Sequence, residues 1–138
     1  MDRQEFSQLL MNQREQQQCG KNELCRRIGV TFHQLQNIEQ SKNNYNFKLI
    51  IKYLSGIQSQ ICLINKSERK NIMSYDDFVS WVIAARSISY SQRSFAQKIH
   101  VAALTIANIE RKATVISVDT FLKIAEALEV EIKIEKCS

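Results

Sequence analysis

The sequence predicts a mainly α-helical chain of two small helical units in tandem, each closed by a short β-strand. Three observations carry this reading. Proline is absent and glycine occurs only three times in 138 residues, whereas sandwiches and barrels need many turn residues. Apolar residues recur at helical spacing along most of the chain. The pattern then repeats itself at an offset of 71 residues, which is the mark of a duplicated unit. A hydrophobic fraction of 44% with 24% charged residues suits a chain that buries a core. The expected boundaries are 1–65 for the first unit, 66–75 for a polar linker and 76–138 for the second.

The repeat is read from matched residues. Ile28-Gly29-Val30 meets Ile99-His100-Val101, and Asn37-Ile38-Glu39 meets Asn108-Ile109-Glu110. The register continues without a gap: Phe47 meets Val118, Ile50 meets Phe121, Ile51 meets Leu122 and Lys52 meets Lys123. Ile61 and Leu63 then meet Ile132 and Ile134. Upstream, Phe6, Leu9 and Leu10 match Phe78, Trp81 and Val82 at an offset of 72.

In the first unit a helix is expected over 3–17, a second over 21–28, a turn at Gly29-Val30 and a third helix over 31–41. Asn46 opens a fourth helix running to Ser55, and 60–64 reads as a strand. Residues 65–71 are polar and read as linker. In the second unit Asp76 and Asp77 precede Phe78, Trp81, Val82 and Ala85, a helix face with acids at its positive end. Ser91 reads as the N-cap of a short helix with Phe95, Ala96 and Ile99 inside. His100-Val101-Ala102 is a turn, and Leu104 or Thr105, Ile106 and Ile109 mark the helix after it. Ser117 or Asp119 caps a helix whose inner face is Phe121, Leu122, Ile124, Ala125 and Leu128. The strict alternation over 130–135 predicts a half-buried strand.

Composition narrows the function. No apolar run approaches the roughly 18 residues of a membrane span, and the first residues lack the pattern of a signal peptide. The net charge of +5 leans toward a polyanionic partner. Residues 1–70 carry 11 basic and 6 acidic side chains, and residues 71–138 carry 8 of each, so the excess lies in the first unit. Cys19, Cys25, Cys62 and Cys137 make no C-x-x-C pair, and His33 and His100 make no ligand pattern with them. Reduced thiols and no metal are expected. There is no phosphate-binding glycine loop and no nucleophile with a base, so no catalytic residue, cofactor or small-molecule ligand is expected.

Two short helices joined by a tight turn inside a small helical unit form a helix-turn-helix. At this point the sequence resembles the phage-repressor/Cro-like (XRE) helix-turn-helix family. Ser91-Gln92-Arg93-Ser94-Phe95-Ala96-Gln97-Lys98-Ile99-His100-Val101 is similar to its S/T-Q-x-x-L-A-x-x-x-G-V. Ile106-Ala107-Asn108-Ile109-Glu110-Arg111-Lys112 is similar to I-x-x-I/W-E-x-G. Residues 118–128 are similar to the closing L-x-T-L-x-x-I-A-x-A-L. The first unit is more diverged, with Leu24-Cys25, Ile28-Gly29-Val30-Thr31 and Leu35, Ile38-Glu39. The resemblance implies two lambda-repressor-like domains in tandem and a double-stranded DNA partner, bound with recognition helices 31–41 and 102–112 in the major groove. It also implies a transcriptional regulator, most often a repressor, in the bacterial or phage cytoplasm.

Carried over, the resemblance assigns base reading to Phe32, His33 and Asn37 in the first unit and to Ala103, Leu104 and Asn108 in the second. Phosphate contacts fall to Lys21, Thr31, Gln40 and Lys42, and to Gln92, Thr105, Arg111 and Lys112. Asn pairs bidentately with adenine, and apolar groups meet thymine methyls. Phe32 has a second reading, packing beneath its own helix. Lys21, Arg26 and Arg27 have one as a solvated helix face. Glu39 and Glu110 are expected to be structural, satisfying backbone or a basic side chain. Ala102 stands where the family has a capping Ser or Thr, and Lys112 where it has Gly. The alternative is therefore a protein-interaction, dimerisation or antitoxin role in which one unit, more readily the second, no longer reads DNA. Strands 60–64 and 130–135 are expected to pair, either with each other as a pseudo-dimer or across a homodimer, because lone strands are unstable.

Overall fold

The computed structural model describes residues 1–66 and 68–138. Helix α1 (Arg3–Gln16) starts at an Asp2 capping box, in which the Asp2 carboxylate accepts from the Glu5 N–H at 2.8 Å. Helices α2 (Lys21–Ile28) and α3 (Phe32–Glu39) follow, then α4 (Phe47–Gly56), capped by Asn46. Strands β1 (Ser59–Asn65) and β2 (Glu68–Ile72) form a hairpin. Helix α5 (Tyr75–Ser89) is capped by Ser74, α6 (Gln92–Lys98) by Ser91 and α8 (Val118–Ala127) by Ser117. Between the last two lies α7 (Ala103–Glu110), and β3 (Glu131–Lys136) ends the ordered elements. Each Ser, Asn or Asp cap satisfies an N–H that the first turn would leave unpaired. The chain is mainly helical with one small sheet, as the composition predicts.

One element differs from expectation. Residues 66–75, read as a linker, contain β2 and run into the first residue of α5. Ser67, within that segment, lies outside the described residues. The polar sequence Glu68-Arg69-Lys70-Asn71 hides a strand because β2 is an edge strand exposed at all but Ile72. Charged residues are normal on such an edge, where they discourage pairing with another chain.

The sheet order is β2-β1-β3, all antiparallel. Strands 60–64 and 130–135 thus pair within one chain, and β1 has a partner on each side. The register is informative. Ile61 pairs with Ile134, Leu63 with Ile132, and Cys62 with Lys133. Cys62 and Lys133 are themselves 71 residues apart, so the pairing maps onto itself under that shift. A second contact behaves alike: Asn46 bridges Ser117, with the Phe47 N–H donating to Ile116 O at 2.8 Å and the Val118 N–H to Tyr45 O at 2.7 Å. The backbone around these contacts therefore follows a local two-fold axis that passes between Cys62 and Lys133 and between Asn46 and Ser117.

Between the sheet and the Asn46–Ser117 bridge lies a shared core. Phe47 stacks on Phe121 at 4.4 Å between ring centroids and packs on Phe78 at 4.9 Å. Phe6 reaches Phe121 at 5.8 Å. These rings come from α1, α4, α5 and α8, so the two helical sets bury their apolar faces against each other. Aromatic pairs of this kind add about 0.5–1.5 kcal/mol each beyond their buried area.

Candidate nucleic-acid interface

The α2–α3 and α6–α7 pairs each turn through one left-handed residue. Gly29 has φ 71°, where the missing Cβ removes the steric penalty. His100 takes the equivalent place with φ 60°. The same hydrogen bond closes both turns: Val30 N–H donates to Cys25 O at 3.2 Å, and Val101 N–H to Ala96 O at 2.9 Å. Ser41 (φ 56°) and Lys112 (φ 61°) likewise end α3 and α7 in the left-handed region. This accounts for the preference for Gly at the position Lys112 fills.

Buried ion pairs fix the angle of each third helix. Arg14 on α1 forks onto Glu39 at the end of α3, with Nε–Oε2 2.6 Å and Nη2–Oε1 3.0 Å, and donates to Cys19 O at 2.9 Å. Arg86 on α5 repeats this on Glu110 at 2.7 and 2.9 Å, and on Tyr90 O at 2.9 Å. A guanidinium fork holds a carboxylate in one plane, so each pair ties the first helix, the residue before the second and the end of the third. In the first set Tyr53 also donates to Glu39 at 2.6 Å. Burial, then the Glu39 hydrogen bond and charge, push the Tyr53 hydroxyl far above its ordinary range. Burial alone would lower the Arg14 guanidinium, but Glu39 and Tyr53 outweigh it and its pKa lies above the usual value.

The structural role expected for Glu39 and Glu110 is the one observed. Their partners Arg14 and Arg86 were not singled out in the sequence, although the two arginines share the offset of 72 that relates α1 to α5.

On α3 the assigned residues fall on one outward face. Phe32 is 48% exposed, His33 is exposed and Asn37 half-buried. Thr31 caps the helix through a box with Gln34, its hydroxyl accepting from Gln34 N–H at 3.1 Å. Lys21 does not point freely to solvent. Its ammonium donates to Gln36 Oε1 at 3.1 Å and sits 5.8 Å above the Phe32 ring. The Phe32 reading as packing beneath its own helix does not describe this placement. Gln40 and Lys42 are exposed just beyond the helix.

On α7, Ala103 and Leu104 are exposed, Leu104 at 65%, so Leu104 stands on the outer face while Ile106 and Ile109 form the inner one. Thr105 and Asn108 are half-buried. Asn108 accepts from Arg111, Lys112 pairs with Asp76 at 3.0 Å, and Gln92 donates to Glu110 at 3.1 Å. Asn108, Lys112 and Gln92 are thus engaged within the chain. The cap of α7 is Ala102, whose side chain offers no acceptor. Replacing Ala102 with Ser is expected to raise stability by about 0.5–2 kcal/mol, visible as a higher thermal midpoint.

The segments leaving α3 and α7 converge. Residues 40–46 and 111–117 meet at the Asn46–Ser117 bridge, so the C-terminal ends of both helices approach the local axis.

A helix-turn-helix family model matches residues 87–134. The matched stretch runs from the end of α5 through α6, α7 and α8 into β3. That family model is of the XRE type, which describes DNA-binding transcription regulators that are typically not enzymes. No curated protein and no solved structure matches the chain. Within this helix-turn-helix, α6 and α7 are the second and third helices. Among the described residues, no helix is long and apolar enough to cross a membrane and no three His, Cys, Asp or Glu side chains converge as a metal site.

Proposed function

We propose that the chain is a sequence-specific double-stranded DNA-binding transcriptional regulator, acting as a repressor, in which two tandem helix-turn-helix units imitate a repressor dimer. The observation that carries the reading is the self-mapping contact set around the local axis, above all Ile61–Ile134 with Leu63–Ile132. The helix-turn-helix match at 87–134 supports the second unit directly. For the first unit the support is equivalence: the same turn bond, the same left-handed residues and the same buried Arg–Glu fork at offsets of 71 or 72. Repression would follow from occupancy of a site that polymerase needs. A bacterial or phage cytoplasm is the setting that goes with the family.

The two reading surfaces differ. Helix α3 offers Phe32, His33 and Asn37, while α7 offers Ala103, Leu104 and Asn108. A palindrome would present both with the same bases, so the expected site is two unlike half-sites about one DNA turn apart. Thr31, Lys21, Gln40 and Lys42, with Gln92, Thr105, Arg111 and Lys112, would set the register on phosphates.

Selecting bound duplexes from a random library with the intact chain tests this. A bipartite, non-palindromic motif is the expected result. A palindrome would mean one working unit per chain in a homodimer. Binding without enrichment and with steep salt dependence would leave phosphate attraction alone. Asn37→Ala is expected to weaken binding by about 1–3 kcal/mol and relax selectivity at one base pair, measured by titration against the selected duplex.

A second reading has its own observations. The second unit lacks a capping side chain at Ala102, and Gln92, Asn108 and Lys112 are held by neighbours. In it the second unit serves protein interaction or antitoxin duty and the first alone meets DNA. Unchanged affinity in Asn108→Ala alongside a loss in Asn37→Ala would favour it.

A further inference from the structure

We propose that the outward face of α5, with the groove beside it, pairs two copies of this chain. The internal repeat supplies the comparison. Helix α1 turns Gln8, Asn12, Glu15 and Gln16 to solvent, and Gln8 donates to Asn12 at 2.9 Å. At the equivalent places α5 turns out Ser80, Ala84, Ser87 and Ile88. Ile88 is 84% exposed and Ile83 38%. Gln13 of α1 is buried, donating to Ser59 Oγ at 3.0 Å, and its counterpart on α5 is Ala85. Where α1 fills the space beside it, α5 leaves an open groove of about 550 Å³. Trp81, Ala85, Ile88, Leu63 and Leu128 are among its walls.

Charge decides the occupant. From Ser80 to Ser89 the one charged side chain is Arg86, and it is spent on Glu110. The groove rim carries Lys70 beside Glu68 and Glu129, with Arg69 paired to Glu135. A strongly acidic or strongly basic partner meets like charge on that rim. A second copy brings both signs, so each rim can face its opposite. An isologous contact is self-complementary by construction. With antiparallel α5 helices crossing at Ala84, Ile88 of one copy lies over Ser80 of the other, a large side chain against a small one. Small residues at the crossing allow the close approach that helix packing needs. The face includes none of the residues assigned to DNA, so the proposal stands apart from that function.

Sedimentation equilibrium of the full chain without DNA, over a concentration series, tests the pairing. The wild type is expected to shift toward twice the chain mass as concentration rises. Ile88→Lys is expected to stay at one chain mass with an unchanged thermal midpoint, and Ser87→Arg to behave alike. Gln16→Lys, on the equivalent face of α1, is expected to pair as the wild type does. A wild type that stays at one chain mass throughout overturns the proposal, as does an Ile88→Lys or Ser87→Arg variant that pairs undiminished. Loss of pairing in Gln16→Lys equal to that in Ile88→Lys would also sink it, since the effect would then be net charge alone.

Discussion

Replacing Glu39 with alanine is expected to destabilise the chain by about 3–5 kcal/mol, the cost of leaving a buried charge without its partner. Arg14 and Glu39 side chains are only 7% and 2% exposed, so water cannot readily replace the lost carboxylate. The substitution strands the Arg14 guanidinium and removes the acceptor of the Tyr53 hydroxyl. It also frees the end of α3 from α1, so DNA affinity is expected to fall even under conditions where the variant remains folded. Urea denaturation gives the first quantity and duplex titration the second. Glu110→Ala is expected to cost less. Its pair with Arg86 is more exposed, at 7% and 11%, and Glu110 receives no Tyr, because the residue matching Tyr53 is Ile124. Equal losses in the two variants would show that the Tyr53 bond and the deeper burial add nothing beyond what the Gln92 amide supplies to Glu110.

Truncating Phe47 to alanine is expected to cost about 3–5 kcal/mol as well, through lost transfer energy and the cavity left behind. Phe47 is fully buried and touches Tyr75, Phe78 and Phe121, all from the opposite helical set. The loss should therefore appear in one transition that melts both sets together. Fluorescence of Trp81, the sole tryptophan, reports the second set, and far-UV circular dichroism reports the whole chain. Coincident curves at a lowered midpoint are the expected outcome. Two separate transitions, with Trp81 unaffected, would mean that the sets fold independently and that the shared aromatic core is incidental to stability.

The helices and their caps were legible because the signals are local. Ser91, Ser117 and Asn46 sit directly before apolar spacing that only a helix satisfies, and the turn at Gly29 needs one residue that tolerates a positive φ. The strand over 131–136 was legible because alternation is also local. β2 was not. Its residues have no apolar face to announce a strand, and they become one only because β1 lies beside them. Glu39 could be read as structural, but Arg14 is 25 residues away and nothing between them gives the distance. For the candidate site, the order of helices and the outward residues of α3 followed from motif spacing. That Lys21 would turn onto Phe32 and Gln36, or that Asp76 would engage Lys112, depends on where neighbouring helices end.

The sequence by itself marked the helical segments and several of their caps, and it suggested one pattern at an offset of 71 residues. These are consequences of hydrogen bonds and periodicity within a few residues. Only the tertiary structure decided that the two sets share one core, that β1 and β3 pair inside a single chain about a local axis, and that α5 keeps an open apolar face where α1 is polar and filled. Those outcomes depend on contacts between residues far apart in the chain, such as Ile61 with Ile134 and Asn46 with Ser117, whose free energy comes from surfaces that meet only once the chain has closed on itself.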